Sequence, residues 1–437
     1  MKSAMSETIT PRRAELFRYV GLDLDQTTVR GTFEVDGRIF SETVEFEGVG
    51  TLDTPAVRSV AELWFLVAGL SYYKTGAARR IDVGSTPLGS AGRRLLEAAL
   101  RDGLGEFSYH NDLPLDDVTI EGGDSVAEAP ITLDPRRVLV PFGGGIDSVV
   151  TVESLSSDLE ISLFIVSPST GRFAPLEATA AKTGLPVVRA TRHLDSQLLS
   201  GEDSFFHGHV PVTAMITLLC AMAAVASGRG GVVMSNEHSA SIPNLEWSGR
   251  EINHQWSKSL AAEVLIADAL RERLGDQLVV ASFLRARSEV WVAQVFSQLP
   301  AYHHVFRSCN RAFRQSMDQR HSSWCGVCDK CLFVNLVLAP YVPRATLREI
   351  FGHEPLSDAA RDEQLRVLVG LGAEAKPFEC VGDPDESAVA LSKVSHMDEW
   401  RDVPRLIEIA EVTSPSRSFD ELLQAQGTDR VPAHWLR

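Results

Sequence analysis

Three groups of residues in this chain have types and spacings suited to chemistry. The first is Pro141-Phe142-Gly143-Gly144-Gly145-Ile146-Asp147-Ser148. Glycines let a backbone approach an anion closely, and a helix starting after them offers unbonded N–H groups and the positive end of its dipole. Gly143, Gly144 and Gly145 are therefore a candidate phosphate cradle. Ser148 is expected to cap the helix and to donate its hydroxyl to a phosphate. A carboxylate beside a phosphate needs a divalent cation between them, so Asp147 points to Mg²⁺. No Gly-Lys-Ser follows, which excludes a Walker loop, and no Gly-x-Gly-x-x-Gly is present, which excludes the dinucleotide fingerprint. The plain alternative is a strand–helix turn whose glycines serve packing alone.

The second group is Cys325, Cys328 and Cys331, two Cys-x-x-Cys steps sharing Cys328, with Cys309 sixteen residues before the first. Four thiolates at this spacing suit tetrahedral Zn²⁺, in a closed site with no open position for water and hence a structural role. Buried thiols without a metal are the alternative. Cys220 and Cys380 stand apart. The third group comprises Ser235-Asn236-Glu237-His238-Ser239-Ala240-Ser241 and Asn253-His254-Gln255-Trp256-Ser257-Lys258-Ser259. Glu237, His254 and Lys258 are the acid/base candidates here, by residue type and tunable pKa. A solvated loop with idle histidines is the competing reading. His209, before a proline-initiated helix, either touches phosphate or starts that helix, and Lys376-Pro377-Phe378-Glu379-Cys380-Val381-Gly382 reads as a packed loop.

These groups need a scaffold. Val138–Val140, Leu163–Val166, Pro186–Val188, Val232–Met234 and Leu278–Ala281 read as buried strands, separated by helical segments. Repeated β–α units imply a doubly wound parallel sheet, with ligands beyond the carboxyl ends of its strands. That rule gathers the loops starting at Gly143, Ser167, Thr191, Ser235 and Ser282 around one crevice. Before this region, alternation at Thr32–Val35 and Thr43–Phe46 flanks an Asp36-Gly37 turn, and helical periodicity covers Val57–Tyr73 and Ala91–Gly103. The chain divides into an α+β region (1–135), an α/β region with the cysteine cluster (136–345) and a helical C-terminal region (346–437) that thins to an uninformative tail beyond Pro404.

The 437 residues carry a formal charge of −16, which disfavours a nucleic-acid partner. The stretch Met1–Arg13 is polar and lacks the apolar core of a signal peptide. Val210–Ala226 is apolar but shorter than the roughly 20 residues of a membrane span, so it reads as a buried core helix and no membrane is implied. With clustered rather than paired cysteines, the expected compartment is the cytoplasm.

The glycine loop resembles the PP-loop signature Ser-Gly-Gly-x-Asp-Ser of ATP pyrophosphatases, with Gly143 in place of the first serine, at the loss of one phosphate contact. The resemblance implies an adenine nucleotide alpha-hydrolase-like fold that binds ATP. Further runs occur in order: Gly-His-Val-Pro-Val-Thr-Ala from Gly208, Ser-Asn-Glu-His-Ser-Ala-Ser from Ser235, Asn-His-Gln-Trp-Ser-Lys-Ser from Asn253, Trp-Cys-Gly-Val-Cys-Asp-Lys-Cys from Trp324 and Lys-Pro-Phe-Glu-Cys-Val-Gly from Lys376. With Ser71–Lys74 and Gly103–Phe107, they resemble the UDP-N-acetylmuramoyl-L-alanyl-L-glutamate epimerase family from Phe17 to Pro404. The resemblance implies ATP- and Mg²⁺-dependent inversion of the terminal L-Glu of a UDP-muramoyl-dipeptide, with the first region assigned to the UDP-sugar by elimination. Two alternatives remain. The cysteine run also resembles that of the 7-cyano-7-deazaguanine synthases, nitrile-forming PP-loop enzymes that are much shorter. A non-catalytic nucleotide-binding regulator is the other.

Overall fold

The computed structural model describes residues 11–309, 311, 323–372 and 376–437. The polar stretch before residue 11 lies outside them. The chain opens with a meander of β1 (Leu16–Leu24), β2 (Thr28–Val35) and β3 (Arg38–Glu47). Asp36 and Gly37 turn β2 into β3 with φ of 45° and 86°. Positive φ at both central residues matches the twist of the flanking strands. The short β4 (Arg80–Asp82) and β5 (Thr119–Glu121) follow.

The five strands expected to be parallel are present as β6 (Asp134–Pro141), β7 (Glu160–Pro168), β8 (Val187–His193), β9 (Arg229–Met234) and, beyond a small hairpin of β10 (Leu245–Trp247) and β11 (Arg250–Ile252), β12 (Val279–Ser282). They pair in parallel in the order β12-β9-β6-β7-β8. The first of them lies in the middle. The chain winds outward through β7 and β8, then crosses back and winds the other way through β9 and β12. That reversal opens a crevice at the carboxyl ends of β6 and β9.

Leu139 and Val232 face one apolar cluster, while Val138, Val140 and Val233 face the other, the period-2 alternation of strands buried on both faces. Helices Pro55–Ala68, Ser90–Arg101, Val212–Ala226 and Leu260–Leu274 cover the first face. Helices Ile146–Ser154, Glu289–Ser297 and Asp329–Leu338 cover the second. Val212–Ala226 is the expected core helix, with Leu218, Leu219 and Met222 fully buried, each contributing roughly 1.5–3 kcal/mol. Among the described residues no helix is long and apolar enough to cross a membrane.

The strands of residues 1–135 extend this same sheet. β3 pairs antiparallel with β8, so ten strands run continuously among the described residues. At the junction the fully buried Glu42 accepts from Arg192 Nε at 2.7 Å and from Tyr72 Oη at 3.1 Å. A buried carboxylate is tolerable only when paired in this way.

Two expectations are corrected. The helical pattern of Val57–Tyr73 forms two helices, Pro55–Ala68 and Leu70–Gly76, meeting at Gly69. A Cβ at Gly69 would lie 2.4 Å from the Tyr19 ring, whose hydroxyl donates to Leu66 O at 2.6 Å, so the packed aromatic requires glycine where the two helices join. The segment beyond Pro404 is not a bare tail. It forms helices Pro404–Glu411 and Phe419–Leu422, and Trp435 is fully buried, its carbonyl accepting from Ser156 N at 3.0 Å. Its helices are eight and four residues long, too short for an apolar period to repeat.

Candidate active site

The glycine loop leaves β6 at the switch point and leads into helix Ile146–Ser154. Gly144 has φ +72°, a conformation that a Cβ would strain, and a Cβ on Gly145 would come within 2.5 Å of Ser308 Oγ. Gly143 has open space beside it. The helix cap is Gly145 rather than Ser148, which sits a turn into the helix and donates to Gly145 O at 3.1 Å. Ser148 still lines the cleft, but its hydroxyl has a partner within the loop. The cleft has a volume of about 380 Å³, and Gly143, Gly145, Asp147, Ser148, Asn236, Lys258, Arg307, Ser308, Lys330 and Cys380 all border it.

Asp147 is the electrostatic centre of this wall. Its Oδ1 is buried without a hydrogen-bond partner. Burial, reinforced by the nearby charge of Glu237, pushes its carboxyl up to about 6, against the pull of Lys330 and Lys258. Burial alone would depress Lys330, but the carboxylates of Glu289 and Asp147 hold its pKa above the usual lysine value. The result is an acid-rich interior facing a cleft edged by cations, an arrangement ready for a divalent ion and phosphates.

The two polar loops after β9 are held from behind by one residue. Arg285, almost fully buried, donates to Glu237 O at 3.0 Å, to Lys258 O at 2.7 Å and to Glu263 Oε2 at 2.9 Å. Lys258 reaches the cleft. Burial opposes its charge, but Cys380, Glu237 and Asp147 keep its pKa raised. His254 lies one layer back, its Nδ1 2.5 Å from Glu106 Oε2 and its ring 4.4 Å from that of His209. Burial works against its protonation, yet Cys380 and Glu106 raise its pKa to about 9. Burial and then the charge of His254 lower His209 to about 4. Glu106, His209 and His254 form a compact group whose polar atoms lie within 4.8 Å of one another. Glu237 is buried and does not border the cleft; its charge is felt by Asp147, Glu289 and Lys376.

The sequence reading missed Cys380. Asn244 Nδ2 donates to Lys376 O at 3.1 Å and Pro377 O at 2.7 Å, and Gln255 Nε2 donates to Val381 O at 3.1 Å. These bonds lay the loop 376–382 across the cleft. Lys258 Nζ donates to Cys380 Sγ at 3.2 Å, and His254 Nε2 lies 4.0 Å from that sulfur. Burial would raise the thiol, but Lys258 and His254 bring it down to about 6. Lys330, Arg307 and Ser308 were missed too. The dense polar runs around them, Cys-Asp-Lys-Cys and Arg-Ser-Cys, were read only for their cysteines.

Those cysteines do converge. The sulfurs of Cys309, Cys325, Cys328 and Cys331 all lie within 4.8 Å of one another, with Cys325–Cys331 at 3.7 Å and Cys328–Cys331 at 3.5 Å. Tetrahedral Zn²⁺ with Zn–S near 2.3 Å spaces its sulfurs by about 3.8 Å, so the donors fit that ion. The cluster ties Arg307 and Ser308, just before Cys309, to the start of helix Asp329–Leu338, which carries Lys330.

A glycine loop at the switch point of a mostly parallel sheet, facing buried acids, lysines and a lowered thiol, marks the candidate site of an α/β protein. Residues 8–283 match the MurL N-terminal domain and residues 305–422 the MurL C-terminal domain. Over 408 residues the chain is 38% identical to the UDP-N-acetyl-alpha-D-muramoyl-L-alanyl-L-glutamate epimerase of Salinispora tropica, covering 90% of this chain and 88% of that one. It is 38% identical to the protein of the same name from a Micromonospora species, over 90% of both. The one from Xanthomonas oryzae pv. oryzae is 34% identical over 96% of each chain. The chain belongs to the MurL family.

Proposed function

We propose that this enzyme inverts the terminal L-Glu of UDP-N-acetylmuramoyl-L-alanyl-L-glutamate to D-Glu in the cytoplasm, using ATP and Mg²⁺ and releasing AMP and diphosphate. The names of its relatives support the substrate and the inversion. The observation that carries the ATP half is the buried Oδ1 of Asp147, without a hydrogen-bond partner, beside the glycine loop. The sheet order, with that loop after its central strand, supports a PP-loop ATP pyrophosphatase fold.

The chemistry explains why ATP is needed. A carbanion at Cα beside a free carboxylate would set two negative charges on neighbouring atoms. If the carboxylate oxygen attacks the α-phosphorus of ATP, diphosphate leaves and an acyl-adenylate forms. Its carbonyl then takes up the electron pair when the Cα proton departs. Reprotonation from the other face inverts the centre, and hydrolysis of the activated acyl group ends the cycle.

The chain's residues take these roles. The N–H groups of the glycine loop, with Arg307 and Lys330, hold phosphate oxygens. Asp147 would hold Mg²⁺, which when bound shields the charge between the phosphates. Lys258 directs its ammonium at the developing enolate oxygen. His254, protonated at neutral pH, supplies a proton-handling group beside the cleft. Glu237 sets the potential at Asp147 and Lys258 from behind. We assign the uridine end to the half-buried Tyr109, Trp247 and Phe378; the rings of Trp247 and Phe378 lie 6.1 and 5.5 Å from that of Tyr109, and Phe378 is two residues from Cys380 along the chain. We assign a structural Zn²⁺ to the four cysteines.

The test is incubation with ATP, Mg²⁺ and the UDP-muramoyl-dipeptide, with chiral analysis of the glutamate and quantification of AMP. Inversion that matches AMP formation is the expected result. Inversion without ATP would defeat the activation scheme, and absence of inversion would defeat the epimerase reading.

A further inference from the structure

Cys380, His254 and Glu106 are linked through the two ring nitrogens of the histidine. Glu106 Oε2 accepts from His254 Nδ1 at 2.5 Å, and the other ring nitrogen faces Cys380 Sγ at 4.0 Å. A sulfur nucleophile beside an imidazolium that is itself oriented by a carboxylate is an arrangement of nucleophilic catalysis, and contacts of this kind are often loose before substrate binds. Three separate parts of the chain supply the three residues, and Asn244 and Gln255 fix the cysteine loop in place. The sulfur borders the same cleft as the glycine loop.

Resting on the acyl-adenylate reading above, we propose that Cys380 is a covalent nucleophile that takes the glutamyl acyl group from AMP. The thiolate attacks the adenylate carbonyl carbon. A C–S bond forms, the C–O bond to phosphate breaks, and its electron pair leaves on AMP. The acyl group is then held as a thioester, and its carbonyl, in place of that of the adenylate, takes up the electron pair while the Cα proton is exchanged. Water attacks that carbonyl, a C–O bond forms, the C–S bond breaks, and the thiolate and the free carboxylate are regenerated as both protons of the water pass to solvent. The sum is hydrolysis of ATP to AMP and diphosphate, with Lys258 beside the oxygen that becomes negative in both steps.

Geometry separates this role from that of a proton carrier opposed to His254. A Cα flanked by an acid and a base needs roughly 6 Å or more between them, since each must sit at a hydrogen-bonding distance on its own face. The sulfur and Nε2 are 4.0 Å apart, on one side. Thiolate chemistry points the same way. Lowering a thiol from about 9 to about 6 raises the thiolate fraction at pH 7 from about 1% to about 90%, and costs only about twentyfold in intrinsic nucleophilicity. As a base, the same thiolate loses the full thousandfold in driving force.

The test uses the full-length enzyme with ATP, Mg²⁺ and the UDP-muramoyl-dipeptide, quenched in acid at times spanning one turnover. Intact-mass and peptide analysis should find the substrate less one water on Cys380, removable by neutral hydroxylamine. Cys380→Ala should keep diphosphate release but lose inversion by about a thousandfold or more. Glu106→Gln should move the pH at which iodoacetamide alkylates Cys380 upward, a change that a purely structural role would leave absent. Wild-type enzyme that inverts substrate with no adduct, or Cys380→Ala that inverts at the wild-type rate, overturns the covalent role alone. Inactive Cys380→Ala with no adduct at any quench time in the wild type overturns it in favour of proton transfer. No diphosphate release from the wild type removes the activation step itself, and the thioester with it.

Discussion

Replacing Asp147 by asparagine should give an enzyme that is inactive and more stable. The carboxyl is pushed from an ordinary value of 3.8 to about 6, chiefly by burial and then by Glu237. Between those values the folded state holds a proton that the unfolded state has released, so its stability falls as pH rises through that window. The contribution is fully present below about pH 4 and lost above about pH 6. The difference amounts to about 3 kcal/mol at neutral pH. Asparagine keeps the shape and removes the charge, so Asp147→Asn should recover up to that amount. For a chain of this length the melting temperature would rise by about 3 °C. The assay is paired: thermal unfolding of wild type and variant from pH 4.5 to 8, and AMP formation with ATP, Mg²⁺ and the dipeptide substrate. The stability gap should open as pH rises and flatten above about pH 6. A variant with unaltered AMP formation would remove Asp147 from the nucleotide site. An inactive variant no more stable than the wild type would refute the picture of a carboxylate kept in an unfavourable place for function.

Turnover in D₂O should place deuterium at Cα of the product glutamate, and only when ATP is present, as NMR or mass spectrometry of the product would read. Protein purified without chelators should carry about one Zn²⁺ per chain by elemental analysis, and Cys331→Ala should abolish it and lower the melting temperature. Tyr109→Ala or Trp247→Ala should raise KM for the UDP-muramoyl-dipeptide by about 5- to 150-fold while leaving KM for ATP unchanged, since stacking on a base contributes roughly 1–3 kcal/mol.

The parallel core was legible because its strands are short apolar runs set between helices, and burial on both faces demands that composition. The glycine loop and the cysteine cluster were legible because each is local: the chemistry lies in neighbouring residues. The fold's long-range joints were not. Nothing in Thr43–Glu47 announces that it pairs with Arg189–His193, since an antiparallel partner leaves no mark on spacing. The need for glycine at residue 69 is hidden too, because it comes from the ring of Tyr19, distant in sequence.

The site divides along the same line, and its least legible residue has the most to explain. A lone cysteine in a polar loop has no pattern to read. Its character comes from Lys258 and His254, which lie 122 and 126 residues away. His254 in turn draws its charge from Cys380 and from Glu106, a further 148 residues off. Three ordinary residues thus become a thiolate, an imidazolium and an orienting carboxylate only once the sheet, its extension into β3 and the loop 376–382 are assembled. The lowered thiol and the raised imidazole are properties of the assembly: Lys258 and His254 offset the burial of Cys380, and Cys380 and Glu106 hold the proton on His254 against its own burial. Local loss of the loop 376–382 should therefore silence the acyl-transfer step while the glycine loop, built within a single strand–helix unit, keeps its shape.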